Sequence, residues 1–75
     1  MMPLDVVFRY GVAPAAQQMR ALDTMREVYG VRRITFDEKE HSVRVEYDGT
    51  RLDVDTVASL LRRAGLDLRE RVALV

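Results

Sequence analysis

Few side chains in this sequence could do chemistry. His41 is the sole histidine, and Asp37, Glu38 and Glu40 stand close by in the chain. Imidazole and carboxylates together suit a hard or borderline cation. These residues fall on a short polar stretch where neighbouring side chains point in different directions, so three ligands do not converge on one ion. The reading adopted is a solvated hairpin tip. Met19 offers a thioether, a poor metal ligand when alone, and is read as core or surface filler. The chain has no cysteine, which removes disulfides, thiolate metal sites, iron–sulfur clusters and a thiol nucleophile. Ser42 adjoins the histidine and Ser59 falls inside a helical pattern, so no serine–histidine–acid arrangement is available. No catalytic residue, metal ligand or cofactor is assigned, and the chain is read as a non-enzyme.

The elements that would position these groups are legible from periodicity. Leu4–Tyr10 reads as a strand with Leu4, Val6, Phe8 and Tyr10 on one face. Gly11 breaks it. Pro14 through Tyr29 reads as a helix: proline suits a first helical position, and Ala21, Leu22, Met25, Val28 and Tyr29 form an apolar stripe. Gly30 is the expected stop. Val31–Phe36 is a second strand with Ile34 and Phe36 inward, Asp37–Ser42 a hairpin turn, and Val43–Tyr47 a third strand. Asp53 is a helix N-cap, and Leu52 and Val57 are spaced for a hydrophobic staple. The second helix runs to Ala64 with Val57, Leu60, Leu61 and Ala64 inward, and Gly65 ends it. Arg69–Val75 is a last strand with Val72 and Leu74 inward.

The fold class is therefore α+β: a ferredoxin-like βαββαβ sandwich, with a four-stranded antiparallel sheet carrying two helices on one face. The open face is expected to hold Asp5, Arg9, Arg33, Thr35, Arg44, Glu46 and Arg71.

The 75 residues make one domain, 1–75, and 48% hydrophobic content is ample for a core. Twelve basic residues balance twelve acidic ones, which argues against non-specific nucleic-acid binding. Base stacking on the sheet is not expected either, because Phe8, Tyr10 and Tyr47 share parity with the core. No apolar run approaches membrane-spanning length, and Met1–Leu4 leads into a charged strand rather than a signal peptide. A cytoplasmic location and no membrane partner are the expectation.

Nearly the whole chain resembles the heavy-metal-associated domain family, the fold of copper chaperones. The family reads Gly-Met-Thr-Cys-x-x-Cys after its first strand; here the residues are Gly11, Val12, Ala13, Pro14, Ala15, Ala16 and Gln17. Gly30-Val31, Ile34, Phe36 and Asp37, then Val43, Val45, Tyr47 and Asp48, and finally Ala64-Gly65 stand in register with later family positions. The resemblance implies a binding loop at 11–17. Its two cysteine positions are Pro14 and Gln17, neither of which can replace a thiolate toward Cu(I).

The function expected is a degenerate domain of this type without thiolate ligands, serving as a protein-interaction or regulatory module with a protein partner. The alternative is a copper or heavy-metal carrier that uses non-thiolate ligands or a partner's ligands. Two lesser expectations concern the chain's surfaces. Ala13 is a poor N-cap, so the N–H groups of Ala15 and Ala16 are expected to be open to an anion. The apolar end of the last strand points to a weak homodimer through 69–75.

Overall fold

The computed structural model describes residues 2–74, with side chains through Val72. The elements run β1 (Pro3–Tyr10), α1 (Ala16–Met25), β2 (Val31–Asp37), β3 (Ser42–Asp48), α2 (Val54–Arg63) and β4 (Leu68–Leu74). The strands form one antiparallel sheet in the order β2-β3-β1-β4. This is the expected α+β architecture. No helix among the described residues is long and apolar enough to cross a membrane.

Alternation runs along most of β1 and β3, and their register sets inner residues opposite inner ones. Val6 faces Val45 and Phe8 faces Val43 on the inner side. Val6, Val43, Val45, Val57 and Leu61 are fully enclosed, with Leu22 and Tyr47 nearly so. Each such side chain contributes about 1.5–3 kcal/mol by leaving water. On the outer face Asp5 and Glu46 lie opposite each other. Arg44 pairs with Asp5, and Arg33 Nε lies 3.5 Å from Glu46, so each carboxylate has its own guanidinium.

Three departures from simple periodicity change which residues face inward. In β2, Val31 pairs with Tyr47 and Arg33 with Glu46, so Arg32 is an extra residue. This bulge lets both Val31 and Ile34 reach the core although they are an odd number apart. In β4, Leu68 pairs with Tyr10, Arg71 with Phe8, and Ala73 with Val7. Extra residues lie on either side of Arg71, and strict alternation fails. Val72 is displaced outward and 48% exposed, contrary to its expected inward position. Arg71 sits opposite inward-facing Phe8 and lines a hollow with Ala58 and Arg62 of α2, so it does not belong to the open face. The expectations for the Leu74 side chain and for Val75 fall outside the described residues.

The first helix is shorter at both ends than the stripe of apolar residues implies. Its N-cap is Ala15, with Pro14 one residue outside rather than at the first helical position. At the other end Arg26, Glu27 and Val28 donate to carbonyls three residues back, at 3.1, 3.0 and 2.9 Å. This tightening rotates the following residues off the helical stripe. Tyr29 is 70% exposed instead of buried, and Ala21 is exposed as well. The Arg51 guanidinium lies over the Tyr29 ring, 3.9 Å from its centroid. Gly30, at φ 106°, then makes the turn into β2.

The second helix starts as expected. Asp53 caps it by accepting from the Thr56 N–H at 2.8 Å, and the Thr56 side chain first, then that N–H, hold the Asp53 carboxyl below its ordinary range. Gly65 at φ 96° follows the C-cap Ala64, and buried Leu66 donates back to the Leu61 carbonyl.

Candidate functional site

The end of β1, the loop after it and the β2–β3 turn meet at one edge of the domain. They meet there because β1 lies beside β3: Arg9 pairs with Ser42, so the next residue on each strand, Tyr10 and His41, must be neighbours. The Tyr10 N–H donates to the His41 carbonyl at 2.9 Å. The two rings stack with 5.6 Å between centroids and 11° between planes. Phe36 meets Tyr10 edge-on, with centroids 5.9 Å apart. Tyr10, Phe36 and His41, with Ala13, Pro14, Met19 and Glu38, line a hollow of about 300 Å³.

The turn is held by one side-chain and one backbone acceptor of its own. The Glu40 N–H donates to Asp37 Oδ1 at 3.3 Å, and the His41 N–H to the Glu38 carbonyl at 3.4 Å. His41 adopts φ 50°, a left-handed conformation that costs a non-glycine residue about 1 kcal/mol. Glu38 and Asp37 act on the hollow electrostatically. Burial is the first cause that raises the Tyr10 phenol pKa, and the negative field of Glu38 and then Asp37 adds to it.

The loop is held from the other side by Asp67. The Gly11 N–H donates to the Asp67 carbonyl at 2.9 Å, and the Val12 N–H to Asp67 Oδ2 at 3.1 Å. Arg69 in turn holds Asp67 Oδ2 at 3.0 Å. A Cβ at Gly11 would crowd Arg69 Nε and Asp67 Oδ2, so glycine leaves room for these two side chains to close on the loop. Val12 projects from the pinned loop with 67% of its surface exposed.

Of the seven loop residues implicated by resemblance, only Ala13 and Pro14 line the hollow. Pro14 is half-buried; Gly11, Val12, Ala15, Ala16 and Gln17 are exposed. The helix start is less bare than expected. The Ala15 N–H donates to Gln18 Oε1 at 2.7 Å, which removes one of the two donors assigned to an anion. Alanine has no acceptor to return the bond, so this is half of a capping box.

Sequence reasoning weighed His41 with its neighbours Asp37, Glu38 and Glu40, took Met19 alone, and left Tyr10 and Phe36 out of any site. The signal that joins them is topological. Once β1 and β3 are antiparallel neighbours, the end of β1 must face the turn before β3. Among the described residues no three His, Cys, Asp or Glu side chains are grouped as a metal site.

No protein-family model and no curated protein matches this chain.

Proposed function

We propose that this is a heavy-metal-associated-like domain without thiolate ligands that acts in the cytoplasm as a protein-interaction or regulatory module. Its contact surface is the loop 11–17 together with the hollow beside it. The observation that carries this reading is Val12: an apolar side chain held out to solvent on a loop whose N–H groups are fixed by Asp67. Exposed apolar groups on a fixed backbone favour binding because little ordering entropy is lost on contact. The outer sheet face is a poorer candidate, since its carboxylates Asp5 and Glu46 are already paired.

A photo-crosslinking residue placed at Val12, and at exposed Ser59 on α2 as control, tests the surface in cells. A discrete adduct from position 12 that is absent from position 59 supports it. Identical adduct patterns from both positions overturn it.

A second reading is a metal carrier with non-thiolate or partner-supplied ligands. Its support is that Met19, Glu38 and His41 line one hollow. Titration with Cu(I) and Zn(II) against a chelator of micromolar affinity separates the two readings: stoichiometric retention favours the carrier.

A further inference from the structure

We infer that the hollow between the loop and the β2–β3 turn receives an arginine side chain of the partner protein. This rests on the interaction role proposed above and names what the surface selects.

The walls suit the two parts of that side chain. Ala13, Pro14, Met19 and Phe36 offer apolar contact to an aliphatic stem. The half-buried Phe36 ring offers a π-system to a flat cation, while Tyr10, buried and stacked on His41, forms the wall beside it. Glu38 supplies a carboxylate on the same lining and makes no ion pair among the described residues. Its turn carries three carboxylates, Asp37, Glu38 and Glu40, against the single Lys39. That negative field reaches into the hollow, since it is felt at the Tyr10 phenol. An anion is disfavoured there, and a neutral apolar group leaves Glu38 uncompensated. Guanidinium is preferred over ammonium because it is planar, stacks on rings and is more weakly hydrated. A hollow of about 300 Å³ has room for one long side chain.

The experiment uses three small probes on the intact domain: N-acetyl-arginine amide, its lysine counterpart and its uncharged citrulline counterpart. Amide shifts are followed by NMR. The arginine probe is expected to bind in the millimolar range, as befits a single side chain, with shifts gathered on Tyr10, Ala13, Met19 and His41. Citrulline is expected to bind about fivefold more weakly, the scale of one exposed ion pair. Glu38→Gln is expected to erase the difference between arginine and citrulline while leaving the melting temperature unchanged. Equal binding of arginine and citrulline by the parent overturns the inference, as do shifts scattered away from the hollow. A Val12 crosslink obtained alongside either of those results leaves the interaction role standing and removes only the arginine. Arginine binding at the hollow without any Val12 crosslink does the reverse.

Discussion

Tyr10 and His41 are joined twice, through the Tyr10 N–H to the His41 carbonyl at 2.9 Å and through rings stacked 5.6 Å apart. The first contact is backbone and survives any substitution of the imidazole. The second is set by a left-handed backbone at His41. His41→Gly keeps the turn and relieves the φ penalty, while His41→Ala keeps the penalty and loses the ring. Denaturant midpoints should place the alanine variant about 1 kcal/mol below the glycine variant. Equal stabilities would mean that the turn is not strained at this position.

Asp48 ties the start of β1 to the end of β3. Its Oδ1 accepts from the Met2 N–H at 3.1 Å, the Thr50 N–H at 3.0 Å and the Thr50 hydroxyl at 2.7 Å. These donors, with the Met2 bond the largest influence, lower its pKa from 3.8 to about 2. The folded state thus binds the proton less readily than the unfolded one. The stabilisation is fully present above 3.8 and is lost as pH falls through about 2. Asp53, lowered by its Thr56 bonds, acts in the same direction. Urea midpoints for the parent should fall across this interval. Asp48→Asn should be less stable near neutrality and show a shallower fall in acid. An unchanged acid slope would detach Asp48 from the pH dependence.

The resemblance to heavy-metal-associated domains is testable by restoring what is absent. Pro14 lies just outside the helix and Gln17 in its exposed first turn. The helix start favours thiolate over thiol. Pro14→Cys with Gln17→Cys should create tight Cu(I) binding in a reduced sample, while each single variant binds far more weakly and the parent does not retain the metal. Replacing Pro14 should cost no more than about 1 kcal/mol. A folded double variant that binds no better than the parent would confine the resemblance to topology.

Strand β4 lies at a sheet edge, as expected, but its pairing with β1 is interrupted twice. Bulges twist an edge and work against continuous pairing with a second copy. Homodimers through β4 should therefore be weak, and sedimentation at low micromolar concentration should report a monomer. A dimer that persists there would show that the bulges do not protect this edge.

Much of this architecture was legible in the sequence, and the misses share one cause. The clean alternation of Val43, Val45 and Tyr47 and the Asp53 cap each pointed to one local structure, and each has it. Alternation carries no information about an inserted residue. In β2 the extra residue Arg32 brings Val31 into the core beside Ile34, which alternation does not show; in β4 Val72 turns outward and Arg71 lands on the helix side of the sheet. The same limit applies to α1. Val28 and Tyr29 keep helical spacing, yet hydrogen bonds that reach three residues back instead of four have already ended the helix at Met25. The site was half legible. Loop 11–17 stood out as a motif, whereas the grouping of Tyr10, Phe36 and Glu38 depends on contacts between strands that no local pattern records.

The interaction surface is tested most directly by the affinity of its partner. The protein captured by crosslinking from Val12 is purified and titrated against the parent domain, Val12→Glu and Ser59→Glu. A charged side chain at position 12 replaces an apolar contact and should raise Kd at least about tenfold, the effect of losing roughly 1.4 kcal/mol. Ser59→Glu should leave Kd unchanged. Equal affinity of all three proteins would contradict a contact surface at the loop after β1.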